Sequence, residues 1–272
     1  MTTTPRRCPA VRQRPRPLCR PCCGIALDLG SSRTRAWIAG RGLILDVPTA
    51  AFPGGGTVRP SRRAAGLDAT ATARMLDRLL GHRLPRLARP LVVVVAPVLD
   101  GVAYRAGART AVEVLRPRSV LTVPGARAIA LAAGVDLSHP RLVVDVGAQL
   151  TEVVLLSDGA VTDARRAALG TADLGTVAPA RIGEAVADMV TAMLRQDRTP
   201  LTSDALLRGV LLAGGGALRP ELVHDLARRL DAPLRPVPAP HTAAVRGAAL
   251  LLDAAHRHPA TTGTVPPPEP AG

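Results

Sequence analysis

The feature that most constrains this chain is an internal duplication. Four residues of the first half recur in the second half at one constant displacement: Asp28 as Asp145, Gly30 as Gly147, Thr34 as Thr151, and Gly42 as Gly159. A repeat of this kind indicates that one structural unit is used twice, and it outranks local signals when a fold is predicted. We therefore expect two lobes of similar structure.

Both halves show the same predicted order of elements, βββαβαβα. In the first half, alternating apolar residues and glycine turns predict the strands GIALDL, TRAWIA and LILDV. Helical periodicity then predicts helices near 69–80, 102–115 and 126–133, with the strands LVVVVA and SVLTV between them. The second half repeats this order with the strands RLVVDV, TEVVLL, AVTDAR, GVLLA and LRPV, helices at 182–194 and 220–230, and a last helix from His241, which we expect to cap that helix.

This order predicts an α/β protein with two lobes, residues 24–138 and 139–257. Each lobe should be a sheet covered by helices, because a sheet must bury its apolar face. The repeated turns follow corresponding strands, so we expect them to face each other across a cleft between the lobes.

The two ends differ from the body in composition. Residues 1–23 carry six arginines, five prolines and no acidic residue, and residues 258–272 are rich in proline, so both are predicted to be disordered tails. All four cysteines lie in the first tail, which favours a cytoplasmic protein whose body does not depend on disulfides. Four thiolates could also hold zinc, but this tail is interrupted by many prolines and arginines, which favours disordered or lipidated cysteines over a zinc site.

The formal net charge is +14, and all basic residues are arginine. Basic proteins bind nucleic acids or anionic membranes. Proteins that bind single strands use aromatic stacking platforms, whereas this chain has one Trp, one Tyr and one Phe, so nucleic acid is a disfavoured partner. The arginines of residues 1–23 instead predict contact with an anionic membrane, which would place the protein at the inner face of the membrane.

Three glycine-containing turns carry the candidate chemistry: DLGSSRT (28–34), its repeat DVGAQLT (145–151), and AGGGAL (213–218). Glycine amides and helix N-termini favour phosphate groups, although any one such turn is more often plain loop geometry. The predicted nucleotide-binding residues are Gly30, Ser31, Ser32, Arg33, Thr34, Gly147, Thr151, Gly214, Gly215, Gly216 and Ala217. Asp28 and Asp145 are predicted to face a common Mg²⁺ through water, the alternative being that they only cap strand ends.

Three segments resemble the MreB/Mbl family of actin-like rod-shape-determining proteins. They are DLGSSRTRAWIAGRGLILDVPTAA, similar to the first phosphate loop, LVVDVGAQLTEVVLLSDGAV, similar to the second, and GVLLAGGGALRPELVHDLARRL, similar to the adenosine loop. The resemblance extends over residues 24–256. It implies an actin-like (ribonuclease H-like) fold, ATP and Mg²⁺ in the interlobe cleft, self-association into filaments, and partners in cell-shape, cell-wall or spore-wall assembly.

The chain departs from the family in the residues nearest the phosphates. Ala148, Gln149 and Leu150 stand where the family has Gly and Thr, and their bulk is expected to crowd the phosphate site. Arg33 replaces a small polar residue, and it either pairs with phosphate or plugs the cleft. Pro124 and Gly125 stand where the family has an acidic pair that helps orient the attacking water, and we expect no nearby Glu or Gln to replace that pair.

Both small upper subdomains of the actin shape are predicted to be reduced or absent, because segments 48–68 and 173–208 are too short to hold them. Together these departures predict weak binding of ATP and Mg²⁺, at most a weak ATPase activity, and a scaffolding role with weak self-association. Two other functions stay open. One is a small-molecule kinase or phosphatase of the same superfold, disfavoured because no carboxylate beyond Asp28 and Asp145 is expected in the cleft, and the other is a basic nucleic-acid-binding protein.

Overall fold

The computed structural model describes residues 24–49, 67–84, 89–99 and 101–257, so both predicted tails and segment 50–66 lie outside the described residues. The strands are β1 Gly24–Leu29, β2 Arg33–Ile38, β3 Gly42–Pro48, β4 Leu91–Ala96, β5 Ser119–Pro124, β6 Arg141–Val146, β7 Thr151–Ser157, β8 Ala160–Ala167, β9 Val210–Ala213 and β10 Leu234–Pro236. The α-helices are α1 Ala69–Leu80, α2 Gly101–Val112, α3 Gly125–Ala132, α4 Ala180–Gln196, α5 Leu201–Leu207, α6 Pro220–Leu230 and α7 Ala243–Arg257. Short 3₁₀ helices cover Gly81–Arg83, Glu113–Leu115, Thr171–Asp173, Gly215–Leu218 and Pro240–Thr242.

The strands form two five-stranded sheets of the same topology. The first has the order β3-β2-β1-β4-β5, and the second has the matching order β8-β7-β6-β9-β10. In each sheet the three meander strands are antiparallel, and the remaining strands run parallel to the first strand of the meander. The predicted duplicated α/β fold is confirmed. We call the unit built on the first sheet the first lobe and the other the second lobe.

The central strands are buried on both faces, as parallel strands covered by helices must be. Every residue of β4, LVVVVA, is buried, and so is every residue of β9. Helix α1 begins where the sequence predicts, because the Asp68 carboxylate accepts a hydrogen bond from the Ala71 amide at 2.9 Å. Local capping and burial therefore set these elements in place.

Helix α5 is an element that the sequence analysis missed. Its seven residues, LTSDALL, are too few to show a helical period. The helix is instead fixed from outside, since Asp197 accepts hydrogen bonds from the amides of Thr199 and Thr202, each at 2.8 Å. A hydrogen bond from the Thr199 hydroxyl, together with those from the two amides, holds the pKa of Asp197 well below its usual value.

The stretch between β8 and β9 bears on the predicted loss of an upper subdomain. Its described elements are one 3₁₀ helix, α4 and α5, and the buried side chains of α4 belong to the core of the second sheet: Ile182, Val186, Met189, Val190 and Met193. No separate subdomain is formed in this stretch of the described chain. The corresponding segment of the first lobe, 50–66, is among the residues that the structure does not describe.

The lobes exchange one helix each. Helix α3 follows the first sheet along the chain, but its Ile129 packs with Val143 and Leu156 of the second sheet. Helix α7 ends the second repeat, but its Val245 and Leu252 join the core formed by β1 and β4. The boundary predicted near residue 138 therefore separates the sheets, while packing crosses it at the α3–α7 contact.

Candidate functional site

A cleft of about 650 Å³ lies between the lobes and is lined by residues of both. The three predicted turns meet there. Of the predicted nucleotide and metal residues, those that line the cleft are Asp28, Gly30, Ser31, Ser32, Arg33, Asp145, Gly147, Gly214 and Gly215. The bulkier residues predicted to crowd the second turn, Ala148, Gln149 and Leu150, also line it.

Four predicted site residues lie behind the cleft and not on its wall, which corrects the prediction. The hydroxyl of Thr34 is hydrogen-bonded to that of Thr49 at 2.9 Å, and Thr151 donates to the Leu169 carbonyl at 2.8 Å. Both threonines are fully buried and hold their turns in place. Gly216 and Ala217 are buried in the 3₁₀ helix that follows β9, where Gly216 packs against Val146.

The repeated turns have the same geometry in both lobes. A Cβ atom at Gly30 would lie 2.9 Å from the Arg33 carbonyl oxygen, and one at Gly147 would lie 2.9 Å from the Leu150 carbonyl oxygen. Gly214 has a φ of +82°, and a Cβ there would overlap the Val146 carbonyl and the Asp145 carboxylate. Glycine is thus required sterically in all three turns, which brings backbone close to the cleft.

A row of charged side chains crosses the first sheet at the cleft. Arg35 on β2 lies opposite Asp28 on β1 and Asp46 on β3, with nitrogen–oxygen distances of 3.3 Å to each carboxylate. Arg33 lines the cleft and pairs with Asp46, with its Nε 2.5 Å from Asp46 Oδ1. Although burial acts the other way, these arginines hold the pKa of Asp46 below its usual value.

The matching row of the second sheet has a different charge pattern. Asp145 on β6 lies opposite Glu152 on β7, which lies opposite Arg166 on β8. Glu152 accepts a hydrogen bond from the Leu99 amide at 3.4 Å, and Arg166 donates to the Leu99 carbonyl at 3.4 Å, so the second lobe touches the loop after β4. Burial, with the charges of Asp28 and Glu152, raises the pKa of Asp145 to about 7.

Glu152 corrects the expectation that the cleft has no carboxylate beyond Asp28 and Asp145. It lines the cleft and is 9% exposed. The sequence held a signal for this position, because Glu152 directly follows the repeated Thr151 in a strand, and the side chains of a strand point alternately to the two faces of the sheet. Gln149 lines the cleft as well. The expectation that no Glu or Gln replaces the acidic pair at Pro124 and Gly125 stays a prediction.

The predicted metal ligands do not form a site that fits Mg²⁺. Asp28 is paired with Arg35, and burial raises the pKa of Asp28 although the Arg35 charge opposes that rise. Among the described residues there is no group of three or more His, Cys, Asp or Glu side chains arranged to hold a metal ion. Mg²⁺ takes oxygen ligands and would face a guanidinium at this carboxylate. The cysteines considered as zinc ligands lie outside the described residues.

Two further cleft residues were missed or misplaced by sequence reasoning. Tyr104 on α2 donates to the Leu29 carbonyl at 3.1 Å, and burial, with the Asp28 charge, raises the pKa of its phenol. His241 is not at the cap position of a helix as predicted, because it lies within the 3₁₀ helix before α7. It lines the cleft, and its buried Nδ1 has no hydrogen-bond partner among the described residues.

No helix of the described chain is long and apolar enough to cross a bilayer. No family model matches the sequence, and a search of curated proteins finds no relative.

Solved structures, in contrast, resemble the chain over most of its length. MreB5 of Spiroplasma citri bound to ADP has a TM-score of 0.72 at 15% identity, covering 86% of this chain and 97% of that one. The MamK double helical filament has a TM-score of 0.63 at 15% identity, covering 87% and 99%. The ethanolamine utilization protein EutJ of Carboxydothermus hydrogenoformans has a TM-score of 0.58 at 15% identity, covering 88% and 91%. The chain therefore has the actin-like fold, as the resemblance of its turns to MreB predicted.

Proposed function

We propose that this protein is an MreB-like scaffold that binds a nucleotide weakly in the interlobe cleft. The observation that carries the proposal is the meeting of three glycine turns, from both lobes, on one cleft. Glycine is sterically required in each turn, and backbone amides near such turns suit phosphate oxygens. Structures with this fold have been determined with ADP and AMPPNP, in MreB5 of Spiroplasma citri.

Weak binding follows from the shape and charge of the cleft wall. Ala148, Gln149 and Leu150 present side chains beside the second turn, where an anion would need open backbone. The side chains lining the cleft include three arginines, Arg33, Arg35 and Arg166, against the carboxylates of Asp28, Asp68, Asp145 and Glu152. These charges nearly balance, so the cleft offers little net attraction to a triphosphate.

Hydrolysis is not the proposed function. Helix α3 begins at Gly125 after Pro124, and its first turn has no acidic residue to orient a water molecule. Asp28 is paired with Arg35, and Glu152 accepts a hydrogen bond from the Leu99 amide. A general base needs a carboxylate within reach of the attacking water, whereas these carboxylates already have partners.

We infer that the protein acts by association within a cell-shape or wall-assembly complex. The support is the resemblance of its turns to the MreB/Mbl family and the likeness of its fold to MamK, which has been solved as a double helical filament. The described chain places only the α-helices α4 and α5 between β8 and β9, so the upper subdomain of the actin shape is absent from this stretch. Self-association is therefore expected to be weak. The arginines of residues 1–23 would direct the protein to the anionic inner face of the membrane.

Calorimetry with ATP and ADP on a variant spanning residues 24–257 tests the nucleotide site. Dissociation constants in the high micromolar range, weakened further by Gly147→Val, are expected. Absence of heat with both nucleotides would refute the nucleotide function. Sedimentation of the same samples tests assembly, and long ATP-dependent filaments at micromolar concentration would contradict weak self-association.

The same preparation separates the rival functions. Phosphate transfer to or release from small metabolites would favour a kinase or phosphatase, and Glu152 gives that rival one carboxylate more than the sequence suggested. A gel shift with arbitrary DNA that weakens steeply with salt would favour the nucleic-acid-binding alternative.

A further inference from the structure

The position of Arg35 is the least expected feature of the cleft. Its guanidinium lies between two carboxylates, with Nη1 at 3.3 Å from Asp28 Oδ2 and Nε at 3.3 Å from Asp46 Oδ1. The side chain is 11% exposed, and Nε makes no hydrogen bond although it lies in this ion pair. Cross-strand register fixes the arrangement, because Asp46, Arg35 and Asp28 occupy one row of β3, β2 and β1.

A positive charge at this place does electrostatically what a divalent cation between carboxylates would do. Arginine keeps its charge when buried, and its planar donors match carboxylate oxygens. A divalent cation would have to displace the guanidinium from Asp28 and then lie beside it, where like charges repel strongly at low dielectric. The first lobe therefore supplies its own cation.

The second lobe strengthens this interpretation. Glu152 occupies the position in the repeat that Arg35 occupies in the first lobe, and both line the cleft. If the second lobe also carried arginine at this position, Asp28 and Asp145 would each have an arginine counter-ion on the neighbouring strand. Arg35 instead lies on the strand next to Asp28, whereas Glu152 occupies the matching position beside Asp145, and Arg166 lies one strand farther away, opposite Glu152.

We propose that Arg35 takes the place of the divalent cation, so that this cleft excludes Mg²⁺ and binds its nucleotide in metal-free form. Nucleotide binding itself rests on the proposed function, whereas the exclusion of the metal rests on Arg35 and the carboxylates alone. Without the charge of a metal ion, affinity for a triphosphate stays low and does not increase when Mg²⁺ is added.

Titration with Mn²⁺, followed by electron paramagnetic resonance in the absence of nucleotide, tests the exclusion directly. We expect Mn²⁺ to remain free with the wild-type protein and to bind Arg35→Gln, in which Asp28 loses its counter-ion. Replacing Asp28 by Asn in the Arg35→Gln protein should remove the bound Mn²⁺. Arg35→Lys keeps the charge and should leave Mn²⁺ free.

Arg33→Leu is the matched control, because it removes a guanidinium from the same strand that pairs with Asp46 and not with Asp28. It should bind no Mn²⁺. A wild-type protein that binds Mn²⁺ and loses it on Asp28→Asn would overturn the proposal. So would a folded Arg35→Gln protein, checked by circular dichroism, that leaves Mn²⁺ free. If Arg35→Gln does not fold, Arg35→Leu takes its place. The wild-type titration remains decisive in either case, because binding of Mn²⁺ by the wild-type protein contradicts the proposal.

Calorimetry with ADP in EDTA and in excess Mg²⁺ tests the consequence for the ligand. Dissociation constants that agree within about twofold are expected, and a tenfold loss of affinity in EDTA would overturn metal-free binding. If ADP gives no heat in either buffer, the proposed nucleotide function fails, and metal-free binding fails with it. The Mn²⁺ titration then decides separately whether Arg35 excludes the cation.

Discussion

Replacement of Gly247 by alanine should separate the two lobes where they are joined. Gly247 lies on α7 against α3, the helix that the other repeat contributes. A Cβ atom at this position would overlap the carbonyl group of Ala128 and lie 2.8 Å from its Cα. Carbon atoms pack best at about 3.5–4.0 Å, and a backbone atom cannot turn aside as a flexible side chain can. The helices must therefore move apart.

The expected magnitude is the balance of two effects. Alanine is favoured over glycine in a helix interior by about 1 kcal/mol. Overpacking of a close contact costs typically about 1–3 kcal/mol, occasionally more, and the overlap here involves three backbone atoms of one residue. The clash should exceed the gain, so we expect Gly247→Ala to lower the free energy of unfolding by about 1–2 kcal/mol.

Urea denaturation followed by circular dichroism measures this loss. Gly125→Ala, at the first residue of α3, is the matched control, because this glycine faces β4 and not α7. A Cβ there would lie 3.5 Å from Val95 Cγ1 and 3.7 Å from the Ala96 carbonyl oxygen, which are ordinary contacts. Its stability should be unchanged or slightly higher. A Gly247→Ala protein as stable as Gly125→Ala would refute the close crossing of α3 and α7.

Three further outcomes are expected. Because the native pKa of Asp145 is about 7, above its usual value of 3.8, the folded state holds a proton that the unfolded state has lost. Stability should then fall as pH rises from about 4 to 7, and urea denaturation across this range should show a flatter profile for Asp145→Asn; an unchanged slope would contradict the burial of this carboxyl. Steady phosphate release from ATP should be negligible, and release at a measurable rate that Asp145→Ala abolishes would show that hydrolysis survives. A protein lacking residues 1–23 should lose the salt-sensitive association with anionic vesicles that six clustered arginines predict, and equal association of both proteins would exclude that role.

The sequence predicted the sheets well because their signals are local and occur twice. Alternation along β1 and β2, and an unbroken apolar run in β4, give the strand positions without knowledge of the rest of the chain. The displacement from Asp28 to Asp145 then gives the second lobe. The glycines of the turns could also be placed, since Gly30 and Gly147 are required by the same contact with a carbonyl oxygen.

The cleft wall was harder to predict because it depends on pairing between strands. Alternation puts Arg33 and Arg35 on one face of β2, but only the register of β1 and β3 shows that Arg35 lies between two carboxylates. The helix exchange has no local signal at all. The alanines of α3 fit a close crossing, yet which sheet they pack against is decided by tertiary structure.

The two lobes have diverged most in the charges that face each other. In a symmetric duplication, the positions of Arg35 and Glu152 would carry the same charge and repel across the cleft. Here they carry opposite charges. The charge of Arg35 lowers the pKa of Asp145 in the other lobe, against the larger effects of burial and of the Asp28 and Glu152 charges. A cation shared by Asp28 and Asp145 would link the lobes only while it is bound. Arg35 is covalently part of the chain and acts on both carboxylates permanently, so its attraction for Asp28 and Asp145 does not depend on a ligand. A cleft with such a built-in counter-ion agrees with the proposal that this protein does not need Mg²⁺ between its two aspartates.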